Sequence, residues 1–220
     1  MTMIKACIFD LDGTLLDTIP TISYYCNLTL SHFGFEPIEE SRYNYFAGNG
    51  AKLLVKRMLQ AVGADLEEFY EGAFEYYNAE YDKAPTLGTK PFGGIPELLD
   101  ELKKRDIKVF VISNKPDFAA KSVIHSLLGE KVDVTYGAIP GVALKPSTER
   151  LDMLMKEYSL SEDECLYIGD TDVDMQTGKN AKLYTIGVLW GFRDEKELRE
   201  NGADLIVSSP REILDYITTK

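Results

Sequence analysis

The chain has 220 residues, 45% of them hydrophobic, and a formal net charge of −12. That length holds one large domain, or a core with a smaller insert, and supplies enough apolar surface for a sizeable core. The acidic balance argues against nucleic acid or an anionic membrane as main partner, since both need a basic face, and no apolar run approaches the ~20 residues of a membrane helix.

In chain order, residues 4–9 form the first apolar run and are expected to be a buried strand. The given sequence enters this strand at once, so no signal peptide is expected. Cys7, Cys26 and Cys165 follow no spaced framework, so reduced thiols and a cytoplasmic location are expected. The strand runs into "DLDGT", where Asp10 and Asp12 stand two residues apart. Like charges there cost stability unless a cation or a reaction uses them.

Residues 18–83 show no convincing strand. Four helical patterns are expected, roughly 19–33, 39–46, 50–62 and 66–82, with Gly34 and Gly63 as stops and Asp65 with Glu68 as a capping box. The last is rich in aromatics, among them Phe69, Tyr70, Phe74, Tyr76, Tyr77 and Tyr81. Packing between helices explains them better than base stacking does, given the acidic surroundings. The stretch "APTLGTKPFGG" then reads as a linker. Two chain crossings, near 14–18 and 83–93, would form a hinge between a core (1–17 and 84–220) and a helical cap (18–83).

Further strands are expected at 107–112, 132–136, 165–168, 183–188 and 204–207. The intervening helices start near Pro96, after Ser147 and at a Ser209–Glu212 capping box. Buried strands alternating with helices indicate an α/β fold with a doubly wound parallel sheet. Ligands bind beyond the carboxyl ends of such strands. Polar residues gather at that edge: Asp10, Asp12 and Gly13; Ser113, Asn114 and Lys115; Lys145; and "GDTDVD" with Asp170, Asp172 and Asp174. Singly, each has a bland reading as a turn, a cap or a surface charge. Their coincidence at one edge favours a shared site. Asp10, Asp12 and Asp170 offer hard oxygen ligands suited to Mg²⁺. Ser113, Asn114 and Lys145 could hold phosphoryl oxygens, with one aspartate as nucleophile and another as general acid and base.

"DLDGTLLD", "ISNK", "LKP" and "GDTDVD", in this order and spacing, resemble the four motifs of the haloacid dehalogenase-like superfamily. The resemblance spans essentially the whole chain. It implies that Asp10 is the nucleophile and Asp12 the general acid/base, with the Asp12 backbone carbonyl also on Mg²⁺. It likewise implies that Ser113 and Lys145 bind phosphate, and that Asp170 and Asp174 belong to the metal site; Asp172 is extra to the pattern and is assigned to the surface. Dehalogenases and phosphonate hydrolases lack the second aspartate, so Asp12 disfavours both. "GNG" at 48–50, "SNKP" and "GVLWGF" resemble bacterial phosphoglycolate phosphatases. Gly13, Asn49, Gly50 and Asn114 are then expected to face the substrate, a small phosphate ester such as 2-phosphoglycolate, with Lys52 as a nearby cation. Asn49 could instead simply cap a helix. Another small phosphate ester, a sugar phosphomutase or a non-catalytic phosphate sensor are the alternatives. Nothing in the sequence sets the oligomeric state.

Overall fold

The computed structural model describes residues 3–219. Strands β1 (Ala6–Phe9) and β2 (Leu16–Asp17) are followed by helices α1 (Ile19–His32), α2 (Tyr43–Phe46), α3 (Ala51–Ala61) and α4 (Leu66–Tyr81). Strand β3 (Lys90–Pro91) leads into an alternation of α5 (Ile95–Lys104), β4 (Lys108–Pro116), α6 (Asp117–Leu127), β5 (Val134–Ala138), α7 (Glu149–Glu157) and β6 (Cys165–Gly169). The chain ends with α8 (Asp172–Asn180), β7 (Tyr184–Val188), α9 (Glu195–Glu200), β8 (Leu205–Val207) and α10 (Pro210–Thr218).

Among the described residues, six strands form one parallel sheet in the order β5-β4-β1-β6-β7-β8. The unbroken apolar run of β1 has a direct cause: both sides of the strand are covered. Cys7 and Phe9 join a core with Leu98, Leu99, Val109 and Ile213. Ala6 and Ile8 join the other, with Phe110, Leu151, Leu154 and Tyr167. This is the period of two expected of a strand between two helical layers. The connections from β1 run first to β4 and β5 and then to β6 on its other side. The reversal puts a crevice at the carboxyl end of β1, between the ends of its neighbours.

Helices α1–α4 build a third apolar cluster around Tyr25, Cys26, Tyr43, Met58 and Tyr77, which Ala119 and Phe192 join from the sheet side. Phe69, Tyr70 and Phe74 pack against it, and Tyr76 stacks on His32 with centroids 3.9 Å apart, so the aromatics fill spaces between helices. The two crossings pair as an antiparallel ribbon, Leu16 opposite Pro91 and Asp17 opposite Lys90. Thr21 and Thr89 hydroxyls meet beside it at 2.5 Å.

Local details depart from the sequence expectations. Strand β5 begins at Val134 rather than 132, because Asp133 starts it with a side-chain bond, accepting from the Val109 N–H at 2.8 Å. Asp65 caps α4 by accepting from Glu67 N–H at 2.8 Å, without the reciprocal Glu68 arm of a capping box. Glu212 accepts from Ser209 Oγ at 2.9 Å, so that pair meets through side chains. Reciprocal boxes form instead at Ser161–Glu164 and Thr171–Asp174.

Candidate active site

Asp10 directly follows β1, and its N–H donates to the Ile168 carbonyl at 2.9 Å, which fixes it against β6. It is 4% exposed. Asp170 follows β6 and Asp174 lies in the first turn of α8; both are fully buried. Carboxylate oxygens of Asp10, Asp170 and Asp174 all lie within 4.8 Å of one another. Lys145 joins two of them, its Nζ 2.8 Å from Asp10 Oδ1 and 2.7 Å from Asp174 Oδ1. The loop bearing Lys145 is held by Asn114, whose Oδ1 accepts from the Lys145 N–H at 2.8 Å.

Each acidic group has its own support. Asp170 Oδ1 accepts from Thr14 Oγ1 at 2.6 Å and its Oδ2 from the Phe192 N–H at 2.9 Å. Asp174 Oδ2 accepts from Thr171 Oγ1 at 2.6 Å and from the Thr171 N–H at 3.1 Å. Three glycines make room for these side chains. Gly13 has φ +88°, and a methyl group on it would lie 2.7 Å from Asp170 Cγ. A methyl on Gly191 would collide with Asp170, and one on Gly169 with Asp174.

The electrostatics are those of crowded, buried carboxylates. Burial, followed by the charge of Asp174, pushes Asp10 up to about 7 despite the opposing effect of Lys145. Burial and the charges of Asp174 and Asp10 also push Asp170 well above the carboxylate range. Burial alone would lower Lys145; the charges of Asp10 and Asp174 override it and hold the ammonium well above its ordinary value. Were all three carboxylates ionised, the one ammonium would leave two negative charges unbalanced, which is why two of them hold their protons so tightly. Lys145, 2.8 Å from Asp10 Oδ1 and 2.7 Å from Asp174 Oδ1, divides its one charge between two carboxylates. Hard oxygens and a deficit of two positive charges fit a divalent ion such as Mg²⁺.

Asp12 turns elsewhere. Its Oδ1 pairs with Lys115 Nζ at 3.0 Å, so its carboxylate stands outside the group of three. Ser113 is buried beside it, and Ser113 Oγ accepts from the Lys115 N–H at 3.2 Å, leaving the hydroxyl proton for another partner. A cavity of about 50 Å³ lies over these groups, room for a few water molecules. Asp10, Asp12, Ser113, Asn114 and Lys115 form one side, and Gly48, Gly50, Tyr77 and Tyr81 from the helical segment form the other.

The residues expected to face the substrate divide. Gly50 lines the cavity, with φ +88° at the N-cap of α3; that cap is therefore not Asn49. Asn49 Oδ1 instead accepts from Arg57 Nη1 at 2.8 Å, which braces its loop. Asn114 reaches the cavity, but its side chain is engaged with backbone: Nδ2 donates to Gly48 O at 3.1 Å. The structure corrects the expectation for Lys52, which is exposed and does not line the cavity. Asp172 is half-buried, with its charge acting on Arg57. Sequence reasoning assigned no partners to Thr14, Lys115, Thr171 or the Phe192 N–H. The "DGT" and "SNK" strings contain two of these residues, but spacing alone does not say where they point.

A family model described as haloacid dehalogenase-like hydrolase matches residues 7–188. The chain is 28% identical to the phosphoglycolate phosphatase of Aquifex aeolicus over 211 residues, covering 96% of this chain and 95% of that one. It is 30% identical over 217 residues to the N-acetylmuramic acid 6-phosphate phosphatase of Pseudomonas aeruginosa, covering 97% and 95%. A Lactobacillus delbrueckii subsp. bulgaricus protein assigned as a phosphoglycolate phosphatase superimposes with a TM-score of 0.90 at 28% identity, over 98% and 99% of the two chains. The chain belongs to the haloacid dehalogenase-like hydrolases, and within them it resembles the phosphoglycolate phosphatases.

Proposed function

We propose that this enzyme, a phosphoric monoester hydrolase, cleaves a small phosphate ester in two steps through a phosphorylated Asp10. The observation that carries the reading is Asp10 itself, a buried carboxylate at a strand end, 2.8 Å from Lys145 and grouped with Asp170 and Asp174. Asp10, Asp170, Asp174 and the Asp12 carbonyl would hold Mg²⁺, which supplies positive charge to both the carboxylates and the phosphate.

An Asp10 oxygen attacks phosphorus and the bond to the ester oxygen breaks. Asp12 donates a proton to that leaving oxygen. It then takes one from water, whose oxygen attacks phosphorus and releases phosphate and free Asp10. The Ser113 hydroxyl and the Lys145 ammonium hold the phosphoryl oxygens, and Lys145 also fixes the aim of Asp10. Asp12 is kept in place for both proton transfers by Lys115.

Residues 18–83 act as a cap on the core of residues 1–17 and 84–220, and move about the β2–β3 ribbon to admit substrate and exclude water. Contacts across the gap support a closed arrangement: Asn114 reaches Gly48 O at 3.1 Å, and Arg193 reaches Asn44 O and the Tyr45 ring. The preferred substrate is 2-phosphoglycolate. The small cavity and the resemblance to enzymes of that name support it. The Pseudomonas relative, named for a sugar phosphate, keeps a sugar phosphate as the second reading.

The test is release of inorganic phosphate from a panel of monoesters, with Mg²⁺ and with excess chelator. Activity is expected with metal and almost none without it. Full turnover after verified metal removal would overturn the carboxylate assignment. A tenfold or greater preference in kcat/KM for sugar phosphates would replace phosphoglycolate as the substrate.

A further inference from the structure

We propose that Lys115 and Tyr81 together recognise a carboxylate that the substrate carries next to its ester oxygen; this rests on the phosphatase reading above. Lys115 is 7% exposed and is the only cationic side chain among the described residues lining the cavity. An ammonium has three donors, and Asp12 takes one of them at 3.0 Å. The other buried lysine of the site, Lys145, is turned to Asp10 and Asp174. A second negative group on the substrate therefore has Lys115 as its counter-charge. Lys52, the cation the sequence suggests, is exposed and lies outside the cavity lining.

Tyr81 supplies an independent observation. Lys115 Nζ lies 4.8 Å from the centroid of its ring. The residue is 5% exposed, and its buried hydroxyl oxygen sits beside the Lys115 ammonium, which can donate to it, while no acceptor among the described residues takes its O–H proton. A buried phenolic proton without an acceptor costs stability, so a native site that contains one has an acceptor to be supplied. Asp82 also lines the cavity but is exposed to solvent, and the buried Tyr77 lines it beside Tyr81. Lys115 comes from β4 and Tyr81 from α4, so the pair exists only while the helical segment sits on the sheet edge.

Reach sets the substrate class. Asp12 must come within ~3 Å of the ester oxygen to protonate it. Lys115 Nζ is 3.0 Å from Asp12 Oδ1, which puts it within roughly 6 Å of that oxygen. The carboxylate of a phosphorylated 2-hydroxy acid is attached to the carbon bearing the ester oxygen and falls inside this radius. A neutral amide in that place can still accept from the Tyr81 hydroxyl, but more weakly than a carboxylate, and it leaves the ammonium without its counter-charge, so a site built around that charge discriminates against it.

The experiment compares kcat/KM for 2-phosphoglycolate with that for the phosphate ester of glycolamide, which has the same shape without the charge. Both are measured with Mg²⁺ on the parent, Tyr81→Phe and Lys115→Met, with p-nitrophenyl phosphate alongside. Lys115→Met disturbs Asp12 and slows both esters, so the ratio is the readout. The parent is expected to prefer the carboxylate by about 100-fold or more, Tyr81→Phe to lower that ratio about tenfold, and Lys115→Met to bring it near one. A parent ratio near one overturns the proposal, as does a ratio retained in both variants. If Lys115→Met fails to fold, the parent ratio and Tyr81→Phe still decide. Hydrolysis of p-nitrophenyl phosphate but of neither glycolyl ester sinks this proposal alone; hydrolysis of none of the three sinks it together with the phosphatase reading.

Discussion

Replacing Gly13 with alanine asks how tightly the acidic group is enclosed. At φ +88° any L side chain is strained, at a cost of roughly 1–2 kcal/mol. The methyl would also lie 2.7 Å from Asp170 Cγ and 2.9 Å from its Oδ1. Asp170 has nowhere to retreat: Thr14 and the Phe192 N–H hold its two oxygens, and Gly191 closes against its Cβ. Reaching ordinary contact needs a shift of about 1 Å, and a misplacement of that size in an active site costs ~10²-fold in rate. The two hydrogen bonds to a charged group, each contributing about 1.5–3 kcal/mol, weaken in the same movement. Gly34→Ala is the control, because its φ is +81° and nothing lies within 4 Å of the added methyl. With about 2–4 °C of Tm per kcal/mol for a chain of this size, Gly34→Ala should lose a few degrees and keep full activity. Gly13→Ala should lose more and drop about 10²-fold in kcat/KM. Calorimetry and phosphate release at saturating Mg²⁺ read both quantities. Gly13→Ala within threefold of the control would refute the idea that turnover depends on Asp170 staying where Gly13 lets it sit.

Two further outcomes follow from the carboxylates. Asp12→Asn should slow turnover ~10²–10⁴-fold, and with a nitrophenolate leaving group it should trap phosphate on Asp10; peptide mapping that finds the label elsewhere would remove Asp10 as nucleophile. Asp10→Asn should abolish turnover without unfolding the chain, and its stability advantage over the metal-free parent should grow with pH. Asp10 is raised from 3.8 to about 7, so the folded parent holds this proton more tightly than the unfolded chain and loses stability as pH rises through about 4 to 7. A Tm difference between variant and parent that stays constant across that window would count against the buried, crowded state of Asp10.

Much of the architecture is legible because burial leaves a simple trace. A strand covered on both faces has to be apolar throughout, and Cys7, Ile8 and Phe9 show it. The acidic residues stand out at the ends of such strands, where the pattern breaks. Side-chain direction in loops leaves no comparable trace. Asn49 and Lys52 sit in a loop and on the first turn of α3, and nothing in their spacing says that one turns to Arg57 and the other to solvent. Asp12 and Lys115 are far apart in sequence, and only the parallel pairing of β1 with β4 brings them together.

That pairing also bears on a difficulty raised by composition. A chain of net charge −12 has to admit a dianion, and surface lysines screened by salt would do little to help. The chain instead buries Lys115 and Lys145 at the carboxyl edge of the sheet, each against carboxylates that keep it charged. A buried lysine without such a partner would tend to lose its proton. The aspartates that make the site acidic are therefore what keeps its ammonium groups positive. On the proposed mechanism, removing Asp10 or Asp174 would therefore weaken the hold on phosphate through Lys145 as well as the binding of metal, read as a rise in the inhibition constant of inorganic phosphate as well as in the Mg²⁺ requirement.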